Sequence, residues 1–348
     1  MEVNKEWLDL FTEEEQKQIY SFDTLDREHP LKRILFPRDA YSGNDNQVAM
    51  NTLTAFKVVN GINKQWLSSL KNRMMEIKDY STSSAALGEL RAYGYLLEAG
   101  VKVRPVPCQR GVGTPEFECS YNGNSFIVEV HSKQMKNEET KAYQEFKKEE
   151  TTAPFRMHTI TPFGKPDVNK PGDTVCLNAI SKICATKQRG HQLSKEIPSI
   201  IWLDYQDEVW DMLLNRENLH PLRSFRGEFV SGEIWYAFYG WNGAPVFESH
   251  SIEEKIVQPP GIMKHDGRFR RSHELSSVII SLPRITSILE NPWADKIVPD
   301  ELWKPLSMLS WFSVADSYTH KFTRNLMDKI DHECDSLSDL ASSIKYKW

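Results

Sequence analysis

Residues 114–133, TPEFECSYNGNSFIVEVHSK, constrain the fold of this chain more than any other stretch. Two runs of alternating character flank Tyr121-Asn122-Gly123-Asn124, a composition that readily supplies the positive φ angles of a tight turn, so the stretch predicts a β-hairpin. Alternation with period two puts Glu116 and Glu118 on one face of the first strand and Phe117 and Cys119 on the other. On the second strand Phe126, Val128 and Val130 share one face, and Ile127, Glu129, His131 and Lys133 share the other. Acids and bases thus converge on one face of the hairpin.

A helix is predicted just before the hairpin. In SSAALGELRAYGYLLEAG, stepping 100° per residue, Ala85, Ala86, Leu90, Ala92, Tyr93, Leu96 and Leu97 form a broad apolar face, with Arg91 and Glu98 opposite and Gly100 as the stop. Glu89 falls in the middle of the apolar face. A carboxylate there loses hydration and must find a proton, a partner or a metal; in isolation the simplest reading is a salt-bridged glutamate.

The remaining pattern divides the chain into three parts. Residues 1–80 read as a helical accessory region, opening with Thr12 and Glu15 at capping-box spacing. Residues 81–300 read as an α/β core with strands near VKVRPV, PSIIWLDY, EIWYAFYGW and SSVIISLP, a helix over LNAISKICATKQRGHQL and a long charged, Pro/Gly-containing insertion at 134–172. Residues 301–348 return to helix. The fold class expected is α/β, a central mixed β-sheet flanked by helices, with helical additions at both ends.

Five scattered cysteines without a C-x-x-C pair fit a reducing compartment, and residues 1–16 are too acidic and polar for a signal peptide. No run approaches the ~18 apolar residues of a membrane span. The expected location is the cytoplasm, with no membrane contact. A net charge of −5 provides no overall attraction for nucleic acid, so any such binding depends on local patches.

Taken in order, Glu89 on the helix, Pro115-Glu116 on the first hairpin strand and Glu129 on the second resemble the PD-(D/E)xK nuclease superfamily. That family's core runs helix, hairpin, helix, strand, with one acid on the helix and one on each hairpin strand. The resemblance covers roughly residues 83–205, including Lys187-Gln188 on the following helix and the strand PSIIWLDY. It implies a restriction-endonuclease-like core and a Mg²⁺-dependent nuclease, with Mn²⁺ able to substitute, that hydrolyses DNA phosphodiesters. Glu116 and Glu129 would hold the metal, with Glu89 positioning its water or a second metal. Roles in restriction, phage defence, repair or mobile-element processing follow from the same resemblance, as does work as a homodimer or within a larger complex.

One position departs from the pattern. The usual lysine two residues after the second acid is replaced by His131, with Lys133 two further on and on the same strand face. The preferred reading is that Lys133 has taken over the role, with His131 second as the cation or base; otherwise the site is impaired and the chain is a nuclease-fold subunit that binds nucleic acid or a partner. For DNA contact the sequence offers Lys182, Lys187, Gln188 and Arg189 in a segment without acids, and a second basic island at Lys264, Arg268, Arg270 and Arg271.

Overall fold

In the computed structural model the described residues are 5–22, 28–36, 43–107, 114–135, 137–148, 193–206 and 267–323, with shorter pieces between 210 and 265 and the single positions Asn169, Ile183 and Asn325. The centre of the molecule is a long helix that begins and ends on local signals. Asp79 caps it by accepting from the amide of Ser81 and the hydroxyl of Thr82, and Gly100, at φ +80°, turns the chain away at the far end. Before it come α1 (Glu13–Tyr20), α2 (Pro30–Leu35), α3 (Gly43–Ile62) and α4 (Lys64–Met74); the central helix is α5 (Tyr80–Glu98). The capping box at the start of α1 is formed, with the Glu15 amide donating to Thr12 Oγ1 and the Thr12 amide donating to Glu15 Oε2.

The hairpin forms as its alternation predicts. Strand β1 (Lys102–Pro105) pairs antiparallel with β2 (Phe117–Tyr121), and β2 with β3 (Asn124–Ser132) through a turn whose two central residues, Asn122 and Gly123, lie at φ 46° and 85°. The next strand, β4 (Ser199–Asp204), is parallel to β3, and β5 (Ser277–Leu282) is parallel to β4. The sixth strand, β6 (Ile285–Glu290), closes the order β1-β2-β3-β4-β5-β6 antiparallel to β5. The protein is therefore α/β, with a six-stranded mixed sheet. All six residues of β4 and of β5 are buried, as their unbroken apolar runs require of strands covered on both faces.

Period-two alternation sorts the sheet into two cores. Phe117, Phe126, Val128, Ile200, Trp202, Ile279 and Ile288 face a layer that contains α5 and the N-terminal helices, where Trp7, Phe11, Phe56, Leu67 and Met74 belong to the same apolar cluster. Ile201, Leu203, Val278, Ile280 and Leu289 face the other way, toward Trp210, Phe269 and the helix α7 (Glu233–Tyr239). The insertion contributes to this second core: within it lies α6 (Asn137–Lys148), whose Tyr143 packs there beside Met135. Segment 310–320 runs along the outer edge of β6, making parallel bridges at Thr286–Phe312 and Leu289–Tyr318. Covering an edge in this way removes a surface that would otherwise pair with another chain.

Two expectations need correction. EIWYAFYGW is not a strand: Glu233–Tyr239 is a helix with every residue buried, followed by the two-residue strand Trp241–Asn242. A short apolar run has no periodicity that separates a buried helix from a buried strand. Arg91 is not on a solvent face, because α5 is covered on both sides and the arginine is 1% exposed. Beyond Asp300 the described chain has the 3-10 turn Asp300–Leu302, the short helix Trp303–Leu306 and helix again over 320–323, and most of the remaining C-terminal region lies outside the described residues. The helix expected over 177–193 lies outside the described residues except for Ile183 and Leu193. No helix among the described residues is long and apolar enough to cross a membrane.

Arg91 finds its partner on the sheet. Its Nε and Nη2 donate to Asp204 Oδ2 at 2.9 and 2.6 Å, and its Nη1 donates to Thr52 Oγ1 of α3 at 3.1 Å. The other Asp204 oxygen accepts from the Gln206 amide at 2.9 Å. Close approach is also built in: a Cβ on Gly88 would lie 2.1 Å from Ser132 Oγ and 2.7 Å from Asp204 Oδ2. Arg91→Ala, which leaves Asp204 buried without its cation, is expected to cost about 3–5 kcal/mol in urea denaturation. Arg91→Met combined with Asp204→Leu should recover a large part of that loss.

Candidate functional site

The register of the hairpin decides where the acids go. Phe117 stands opposite Val128 in the antiparallel pair, so the preceding residue, Glu116, stands beside Glu129. Glu116 Oε2 accepts from the Val130 amide at 2.9 Å, which draws its carboxyl across onto β3. The Glu129 carboxyl lies close enough to act on it.

Burial pushes the Glu116 carboxyl above its ordinary value of 4.5, and the negative charge of Glu89 pushes it further; the hydrogen bonds from Glu129 and the Val130 amide act in the opposite direction. Glu89 therefore lies near enough to act on the pair electrostatically. The three acids, 40 residues apart at the extremes of the sequence, belong to one electrostatic site.

Each acid has a different immediate environment. Glu129 is 3% exposed, and its Oε1 lies 3.6 Å from His131 Nε2. Glu89, on α5, is gripped end-on by Arg73 in the last turn of α4: Nη1 and Nη2 donate to the two carboxylate oxygens at 2.7 Å each. Glu89 is thus salt-bridged, and its charge acts on Glu116. Among the described residues no group of three or more His, Cys, Asp or Glu side chains is gathered closely enough to hold a metal ion. The donor set nonetheless suits a hard divalent cation: Mg²⁺ commonly takes one or two carboxylates and fills its remaining positions with water and phosphate oxygens. Glu116 and Glu129 supply the two.

The two candidate cations of β3 differ in access. His131 is partly exposed and adjacent to Glu129, whereas Lys133 is 6% exposed, just past the strand end, where its amide donates to Asp204 O and its carbonyl accepts from Trp210 Nε1. The basic positions Lys182, Lys187, Gln188 and Arg189 lie outside the described residues. In the second basic island, Lys264 is in a two-residue strand, Arg268 is 9% exposed, and Arg270 stacks over the Trp293 ring at 4.8 Å from its centroid. Arg73 carried no signal in the sequence. Its relation to Glu89 depends on how α4 packs on α5, which no local pattern encodes.

No protein-family profile, curated protein or solved structure matches this chain.

The titration of Glu116 has a sign that can be tested. A carboxyl raised in the folded state contributes stability that is fully present below its unfolded pKa near 4.5 and is lost as pH rises through the higher folded value. Glu116→Gln, neutral at every pH, avoids that loss. Its thermal midpoint is expected to exceed that of wild type at mildly alkaline pH, the gap closing as pH falls toward the ordinary carboxylate range. A gap independent of pH would show that burial and Glu89 do not act on this carboxyl.

Proposed function

We propose that this chain is a Mg²⁺-dependent deoxyribonuclease, with Mn²⁺ able to substitute, that hydrolyses DNA phosphodiester bonds. The observation carrying this reading is the cross-strand Glu116–Glu129 carboxyl pair within reach of the charge of Glu89. Glu89, Glu116 and Glu129, from a helix and two hairpin strands, follow the order of the PD-(D/E)xK resemblance, and the charge of Glu89 acts on Glu116. The succession α5, β2–β3 hairpin, then β4 parallel to β3 supports the same reading.

Each group has a role that its setting supports. Glu116 and Glu129 would hold the cation. A bound divalent cation supplies charge neutralisation at the phosphate and a water acidified toward neutral pH. Glu89 orients the attacking water. His131 stands beside Glu129 and is available to stabilise charge on the phosphorane or to move a proton. Burial of Lys133 favours His131 over it for a role that meets substrate. On sequence grounds Lys182, Lys187, Gln188 and Arg189 contact the DNA backbone. Restriction, phage defence and mobile-element processing are the settings this activity fits, in the cytoplasm, by a homodimer or a larger complex.

A second reading draws on one observation. Both oxygens of Glu89 are engaged by Arg73, as expected if the chain is a nuclease-fold subunit that has lost catalysis and retains a binding role. Calorimetric titration of Mg²⁺ and Mn²⁺ into wild type and Glu129→Ala, with plasmid and single-stranded DNA cleavage on the same samples, separates the two. Nuclease function predicts metal binding and cleavage that both disappear in the variant. A folded wild type that binds no metal, even with DNA present, rules out the catalytic reading in favour of the second.

A further inference from the structure

The helix α5 is involved in two arginine–carboxylate pairs of similar chemistry and opposite setting. In the first, the Arg91 side chain is 1% exposed and that of Asp204 0%; the pair is sealed between helix and sheet. In the second, the Arg73 side chain is 44% exposed while Glu89 beneath it is 11% exposed. Arg73 thus presents an exposed positive charge over Glu89.

We infer that Arg73 is the site's phosphate-positioning cation, standing where the usual lysine is absent; this rests on the nuclease reading above. Three observations carry the inference. First, a phosphodiester approaching Glu89, Glu116 and Glu129 meets a cluster of acids in a chain of net charge −5, where a fixed cation favours its approach. Second, the other cations are less suited. Lys133 is 6% exposed, and His131, beside Glu129, is charged only when protonated. Arg73 is exposed and permanently charged. Third, its fork already grips one set of paired oxygens, those of Glu89, at 2.7 Å each, and phosphate presents the same two-oxygen geometry.

Arg73 is exposed but Glu89 is not, so the guanidinium can pass to phosphate only as Glu89 gains another positive partner or a bound water. When Arg73 turns to the phosphate, Glu89 is released toward the water it orients. The same movement that engages the substrate completes the acid site.

The test uses a fluorescent duplex with a single-stranded tail, bound in Mg²⁺ by full-length Glu129→Gln, which the nuclease reading makes inactive so that the DNA stays whole. Adding Arg73→Gln is expected to weaken binding about tenfold and to reduce the slope of log affinity against log salt by about one, as loss of one phosphate contact requires. Arg73→Lys, which keeps the charge and loses the fork, should retain the slope with a smaller loss of affinity. Thermal melts establish that each variant is folded. An unchanged slope and affinity in Arg73→Gln overturns the inference and leaves the nuclease reading standing on wild-type metal binding and cleavage. If Arg73→Gln does not fold, Arg73→Lys binding as tightly as its parent overturns it alone. Absence of DNA binding by both this parent and the wild-type protein removes both.

Discussion

A buried ion pair fixes the position on which the candidate site depends. Arg91 and Asp204 join α5 to the end of β4, with Thr52 of α3 and the Gln206 amide completing the hydrogen bonds. Taking two charges out of water is costly, and the arrangement persists only because these partners are supplied in the right geometry. Gly88 allows the helix to sit against Ser132 and Asp204, where any side chain would collide. Sliding or rotating α5 by one residue would break this network. Glu89, between Gly88 and Leu90 on the same helix, is therefore held relative to the hairpin by contacts that are not themselves part of the site.

The hairpin holds the other two acids by a different means. A tight turn at Asn122-Gly123 sets the register of β2 and β3, and register sets which side chains stand opposite each other. A slip of one residue would move Glu116 and Glu129 to opposite faces. The site is thus the meeting of one position fixed by a buried charge pair and two fixed by a turn. Burial and the negative charge of Glu89 raise the Glu116 carboxyl, so it favours a positive partner.

The contrast between the two arginines shows how similar chemistry serves different ends. Sealing Arg91 makes it a structural element, because removing either partner leaves an uncompensated buried charge. Leaving Arg73 exposed makes its contact with Glu89 exchangeable. Solvent access, rather than residue type, separates the two.

Local physics made much of this legible in the sequence. The helix ending at Gly100, the hairpin at Tyr121-Asn-Gly-Asn and the buried strands over PSIIWLDY and SSVIISLP all follow from periodicity and turn chemistry, which act over a few residues. Alternation likewise predicted that Glu116 and Glu129 face the same way. Where a run was uniformly apolar, as in EIWYAFYGW, periodicity was silent, and packing selected a helix. Tertiary structure alone decided what no window of sequence contains: that both sides of α5 are covered, so that Arg91 pairs with Asp204 across 113 residues of chain, and that Arg73 lies on Glu89. Those pairings depend on how whole elements pack, and packing is settled by the sum of many weak contacts distributed over the chain rather than by any motif within it.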